Sequence, residues 1–207
     1  MPMRVAVCIS GQGSNLRALL EALPAGAPAE VVLVISDRTA APGLALATAR
    51  EIPTFVLENV ASGGAWLAEL DRLRVELVVL AGFLRLVPAD VVARYRGRIV
   101  NVHPALLPAF GGPGMYGGRV HRAVLASRAA ESGATVHLVD EMYDRGEILA
   151  QARVPVLADD SPEELAARVL AVEHRLLPAV VLAAARAGHP VPVSDPLESF
   201  RQVEPSR

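Results

Sequence analysis

Three features of the sequence predict an α/β fold: a Rossmann-like, doubly wound sheet, mostly parallel, with an antiparallel C-terminal part. Five short apolar runs alternate with helical stretches over the first half of the chain. After them come two strand-like runs flanking a polar turn. The chain is 52% hydrophobic but only 4% aromatic, and its apolar residues are mostly Ala, Val and Leu, which suits helices packed on a parallel sheet.

The elements follow in order. Arg4 to Ser10 (RVAVCIS) is a first buried strand, followed by the turn Gly11-Gln-Gly-Ser-Asn15 and helical spacing from Leu16 to Leu23. Val31 to Ser36 is the second strand, Pro42 to Glu51 an Ala-rich helix and Pro53 to Leu57 the third strand. A Ser-Gly-Gly turn opens a helix over Ala65 to Leu73. Leu77 to Ala81 is the fourth strand and runs into Gly82-Phe-Leu-Arg-Leu-Val87. Pro88 suits the first position of a helix reaching Tyr95. Arg98 to Val102 is the fifth strand, ending in a turn at Pro104. Five glycines and two prolines make Pro108 to Gly118 a loop, and Arg119 to Ala126 is helical. Thr135 to Val139 and Ile148 to Pro155 form a hairpin-like pair around Asp140 to Glu147. Ser161-Pro-Glu-Glu164 is a capping box that opens a helix to about Gly188, with a kink expected at Pro178. One domain is expected over 1–207, with its core over 4–188 and a peripheral or mobile Pro-rich tail over 189–207.

Composition removes several classes. A net charge of −2 gives no basic footprint for nucleic acid. No apolar run reaches transmembrane length, and the start lacks a signal-peptide layout, so a cytoplasmic protein without a membrane partner is expected. Cys8 is the single cysteine, which excludes an internal disulfide and a Cys-based metal site. All 20 basic residues are arginine. Without lysine there is no Walker-type phosphate loop, no Schiff-base lysine and no Tyr-Lys dehydrogenase pair.

Candidate chemistry centres on Asn101 and His103. Spaced two apart in extended chain, they point to one face at the C-terminal end of a strand, where open α/β sheets bind ligands. An amide there can donate to a developing oxyanion while an imidazole moves a proton. The plain alternative is a strand end whose polar groups pair with backbone. Gly11 to Asn15 offers a tight turn, a Ser14 cap and free amides for a phosphate, or else is an ordinary βα turn. A dinucleotide fingerprint with Asp37 fits poorly, because Leu16 takes the third glycine position. The strip Leu84-Arg-Leu-Val87 can hold a flat heterocycle through main-chain groups, or is core plus a surface arginine. Asp144 is a turn former or the partner of His103. Glu173 falls on the apolar side of the last helix, where a buried carboxylate needs a polar ligand or an internal arginine. His137 suits a structural hydrogen bond, His121 reaches a ligand or caps the glycine-rich loop, and His189 faces solvent.

Several motifs together resemble one family, the folate-dependent phosphoribosylglycinamide formyltransferases of purine biosynthesis. They are ISGQGSNL (9–16), AGFLRLVP (81–88), NVHPALLPAF (101–110), VHRAV (120–124), GATVHLVDE (133–141), YDRGEILAQ (143–151) and VEHRLLP (172–178). The resemblance implies the formyltransferase fold and transfer of the formyl group of N10-formyltetrahydrofolate to the amine of 5-phosphoribosylglycinamide. It implies a catalytic set of Asn101, His103 and Asp144, with Asp144 keeping His103 charged. It places the substrate phosphate on Gly11, Gln12, Gly13, Ser14 and Asn15, and the ribose on Glu173. It places the pteridine on the backbone of Leu84, Arg85, Leu86 and Val87, beside Asn101. It implies small-molecule substrates and no metal, and it admits a homodimer.

Two stretches depart from the pattern. Ser62-Gly-Gly64 stands where many relatives carry a basic or polar residue that assists the folate tail. Gly111 to Val120 differs in length and content from common forms, and its glycines suit a mobile lid. Rivals are a formyltetrahydrofolate hydrolase, a methionyl-tRNA formyltransferase and a nucleotide-binding module without catalysis. The first two normally carry a further domain, and the third has no need for Asn101, His103 and Asp144 together.

Overall fold

The computed structural model describes residues 1–194. Its first five strands are β1 (Met3–Ile9), β2 (Ala29–Ser36), β3 (Thr54–Val56), β4 (Leu77–Leu80) and β5 (Ile99–His103). They are all parallel. β6 (Glu131–Leu138) and β7 (Ile148–Pro155) then pair antiparallel, and the sheet order is β3-β2-β1-β4-β5-β6-β7. The order reverses between β1 and β4, so a crevice opens at their C-terminal ends, the usual ligand position in such sheets.

Strand periodicity divides the core. Val5, Val7 and Ile9 of β1 face one layer, and Ala6 and Cys8 face the other. The first layer includes Leu16 and Leu19 of α1 (Ser14–Ala22), Ala47 of α2 (Gly43–Thr48), Val124 of α5 (Gly118–Ala126) and the long α6 (Pro162–Ala187). The second layer is built on Trp66 and Leu70 of α3 (Gly63–Arg72) and on Val91 and Val92 of α4 (Ala89–Arg94). Both faces of the sheet are therefore covered, which is why β4 is buried at every position.

The termini of the elements refine the sequence expectations. Ser161 accepts the Glu164 amide at 3.2 Å and Glu164 accepts the Ser161 amide at 2.8 Å, so the capping box forms as expected. Ser14 is not a cap: Gly13 takes that position at φ 72, and Ser14 is the first helical residue. A side chain at Gly13 would also meet Gly43 Cα at 2.9 Å, so both the left-handed backbone and the approach of α2 require glycine. Pro88 likewise precedes α4 rather than opening it, because its ψ of 143 is extended. The start of the expected tail is tied down, with the Val193 amide donating to Leu149 at 2.7 Å on the free edge of β7. The rest of that tail, 195–207, lies outside the described residues.

The β5–β6 register matters most for function. It sets Asn101 opposite His137 and His103 opposite Thr135. Thr135 is fully buried, and its hydroxyl donates to the Ala105 carbonyl at 2.6 Å. The same oxygen accepts the Leu107 amide at 3.1 Å and the Gln151 side chain at 3.0 Å. One hydroxyl thus fixes the loop leaving β5. Thr135→Val keeps the shape and leaves the Leu107 amide and Ala105 carbonyl unpaired. Urea unfolding should show a loss of about 1–3 kcal/mol, and an unchanged midpoint would remove Thr135 from this role.

Candidate active site

Four polar side chains converge where β5 ends. Asn101 Nδ2 lies 3.1 Å from His137 Nε2 and 3.5 Å from Asp144 Oδ1. His103 Nδ1 lies 3.7 Å from Asp144 Oδ2, and His137 Nε2 lies 3.5 Å from Asp144 Oδ1. Asp144 arrives from the β6–β7 turn at φ 54 and also accepts the Gly112 amide at 2.9 Å. The site brings together all three residues of the expected catalytic set, and adds His137.

Backbone carbonyls fix two of the rings. His137 Nδ1 is 2.7 Å from the Leu138 carbonyl, so it carries the hydrogen and leaves Nε2 to accept from Asn101. His103 Nε2 is 2.8 Å from the Phe110 carbonyl and donates to it, which leaves Nδ1 toward Asp144. Burial pushes the proton affinity of His103 below the usual imidazole value, while the Asp144 charge and the Phe110 carbonyl push it up. Burial and the Asp144 carboxylate thus act on His103 in opposite directions: the carboxylate favours the imidazolium, as the resemblance implies, and burial opposes it. For Asp144, burial favours the acid form, but the neighbouring imidazoles of His137 and His103 and the Gly112 amide, which donates at 2.9 Å, together hold the carboxyl below its ordinary value.

A second polar pair stands apart. Asn15 Nδ2 donates to Glu173 Oε2 at 2.6 Å, joining α1 to α6. Glu173 is 7% exposed, and burial pushes its carboxyl up to about 7, against the Asn15 hydrogen bond. Its partner is an amide and not the internal arginine weighed from sequence. Asn15 Oδ1 is buried without a partner, an acceptor left for a ligand donor.

One cavity of about 490 Å³ connects the two groups. It reaches Asn101, His103, His137 and Asp144 on one side and Asn15 and Glu173 on the other. Ala166 and Leu170 continue the Glu173 face of α6 into it. Leu84 to Val87 form a wall as expected, with Val139, Met142 and Tyr143. The Leu84 amide donates to Ser10 Oγ at 3.0 Å and is not free for a ligand, against the expectation that all four residues offer main-chain groups. Arg85 is more than a surface residue, since its Nε lies 3.4 Å from the buried Asp37 carboxylate. Gln12 and Ser14 line a different cavity with Arg17, Glu21 and His174. The expected phosphate loop therefore faces two ways, with only Asn15 in the main cavity. Arg17 makes the first helical bond, to Gly13 at 2.9 Å, so the preceding amides of α1 have no helical partner.

Sequence reasoning underrated His137 and did not foresee Met115, Tyr116, Val139 or Leu170 in the cavity wall. The alternation of Thr135 and His137 held a signal, but only the register shows that it answers Asn101 and His103.

The chain was compared with known proteins. A family model described as formyl transferase matches residues 3–181. A chloroplastic phosphoribosylglycinamide formyltransferase of Arabidopsis thaliana is 47% identical over 186 residues, 86% of this chain and 64% of the relative's length. The phosphoribosylglycinamide formyltransferase of Haemophilus influenzae is 38% identical over 86% of this chain and 85% of that protein. A solved phosphoribosylglycinamide formyltransferase from Anaplasma phagocytophilum superposes with a TM-score of 0.85 at 36% identity, covering 90% of this chain and 88% of that one. One from Brucella melitensis gives 0.80 at 47% identity, covering 89% and 96%.

Glu173 makes stability pH-dependent. Its carboxyl rises from an ordinary value of 4.5 to about 7 on folding, so the native state holds the proton longer than the unfolded chain. Stability is therefore full below the unfolded value and falls as pH rises through the window up to about 7. Glu173→Gln removes the charge and keeps an acceptor for Asn15. At pH 8, without ligand, the variant should be more stable than the parent by up to about 3 kcal/mol, and the difference should vanish near pH 4. Parallel curves of Tm against pH for the two proteins would contradict this.

Proposed function

The chain belongs to the formyl transferase family, and we propose that it transfers the formyl group of N10-formyltetrahydrofolate to the glycinamide amine of 5-phosphoribosylglycinamide. The observation that carries this reading is the single cavity with a proton-handling cluster at one side and a hydroxyl-binding pair, Asn15 and Glu173, at the other. A hydrolase needs no such pair, because water has no sugar to hold.

The folate co-substrate supplies a formyl carbon activated for acyl transfer. Its flat ring suits the apolar wall made by Leu84 to Val87 together with Val139 and Met142. Glu173 and the free Asn15 oxygen receive ribose hydroxyls, and the free amides at the start of α1 suit the phosphate. The Asn101 hydrogen held loosely at 3.5 Å by Asp144 turns to the formyl oxygen as negative charge grows there. Neutral His103 takes a proton at Nδ1 from the amine as the new C–N bond forms. Asp144, 3.7 Å away, then faces an imidazolium and stabilises it. The same nitrogen returns the proton to the leaving nitrogen, so the ring ends as it began. Asn101, His103 and Asp144 act as one unit, and no covalent enzyme intermediate is needed.

The test is tetrahydrofolate release measured with and without 5-phosphoribosylglycinamide. Release that depends on the ribonucleotide is expected, and release without it would make water the acceptor. His103→Ala should lower kcat by about 10²–10⁴-fold while substrate affinity stays within several-fold. Asp144→Asn should lower kcat more than it raises KM, because its work begins when charge appears. Either variant keeping most of its kcat would remove that residue from the mechanism.

A further inference from the structure

His121 has no role in the scheme above, yet it lies in the wall of the same cavity and is only 5% exposed. It comes from α5, which packs against α6, the helix that carries Glu173. Its Nδ1 is sealed from solvent with no hydrogen-bond partner. His103 and His137 differ in this respect, since backbone carbonyls of Phe110 and Leu138 fix their tautomers.

Elementary energetics fixes what His121 offers. A charged ring is disfavoured, because burial and then the nearby His103 lower its proton affinity. Of the two neutral forms, one buries an unpaired N–H at Nδ1 and the other buries only a bare lone pair there. Orphaned buried N–H groups are the rarer of the two in native proteins. The hydrogen therefore sits on Nε2, the nitrogen left to address the cavity. His121 is a neutral donor awaiting an oxygen.

We propose that His121 donates from Nε2 to the carbonyl oxygen of the acceptor's glycinamide arm, and that this bond sets the adjacent amine against the formyl carbon; the proposal rests on the acceptor named above. The other oxygens have better partners. The formyl oxygen belongs to Asn101, the ribose hydroxyls to the Asn15–Glu173 pair and the phosphate to the amides of α1. His121 thus selects for an amine that carries a neighbouring carbonyl, and it acts on position without moving a proton.

Glutamine and asparagine separate the two ring nitrogens, since the Gln amide nitrogen occupies the place of Nε2 and the Asn amide nitrogen that of Nδ1. His121→Leu and His121→Asn should lower kcat for the ribonucleotide by about 100-fold, and His121→Gln should recover most of that loss, with KM for the folate unchanged in all three. Gln and Asn variants of equal activity, at Tm values matching the parent, would overturn the proposal. A measurement on the unaltered protein needs no substitution. In 15N-histidine spectra the His121 Nε2 should be protonated and Nδ1 bare, and the Nε2–H resonance should move downfield with 5-phosphoribosylglycinamide but not with ribose 5-phosphate. A hydrogen on Nδ1, or an equal response to both compounds, would also overturn it. Failure of the unaltered enzyme to formylate the ribonucleotide would instead sink the acceptor assignment, and it would be seen before any variant is made.

Discussion

The Asp144 carboxylate accepts the Gly112 amide with one oxygen and turns the other toward Asn101 and His137, binding together segments as far as 43 residues apart. Its position follows from the antiparallel step at β6. A parallel sixth strand would begin at the far end of the sheet and carry its following turn elsewhere. Because β6 runs back against β5, His137 lands opposite Asn101, and the β6–β7 turn delivers Asp144 beside them. The turn closes only because Gly146 presses on the Leu138 carbonyl, where no side chain fits. Gly111 does the same for the loop, since a Cβ there would meet Leu107 Cδ2 at 2.5 Å and Asp144 Cβ at 3.1 Å.

The electrostatics of the cavity favour neutral groups at rest. Burial pulls His103 and His121 toward the uncharged imidazole and Glu173 toward the uncharged acid. Asp144 is the exception, held as a carboxylate by its hydrogen-bond donors. Asp144 sets a negative charge beside the polar groups at the end of β5, and in the acyl transfer proposed above the positive charge on His103 arises next to it. In that scheme the charge is stabilised where it is created, 3.7 Å from the carboxylate.

Local chemistry was legible in the sequence where period and spacing report it. The alternation of β1 into two core layers, the Asn101–His103 spacing, the inward side of Glu173 and the Ser161 capping box are all written within a few residues of chain. What failed was non-local or conformational. Asn15 and Glu173 are 158 residues apart, so an arginine was as reasonable a partner for Glu173 as the amide found. Ser14 has the right side chain for a cap, but the contact of Gly13 with Gly43 decides where α1 begins. The tie of Val193 to Leu149 uses backbone alone, which composition cannot report.

Phe110 shows how far such backbone effects reach into the chemistry. Its carbonyl holds the His103 hydrogen on Nε2, so Nδ1 beside Asp144 is the nitrogen with a free lone pair. Had the carbonyl been absent, the Asp144 carboxylate would draw the hydrogen to Nδ1 and remove the free lone pair that the proposed proton transfer uses. Phe110 reaches this position at φ 57, a left-handed conformation that costs a non-glycine residue about 1–3 kcal/mol. The loop that carries Phe110 is anchored just before it, at Ala105 and Leu107, by the Thr135 hydroxyl. The tautomer of the central histidine is therefore set by a main-chain atom whose position depends on a hydroxyl one strand away.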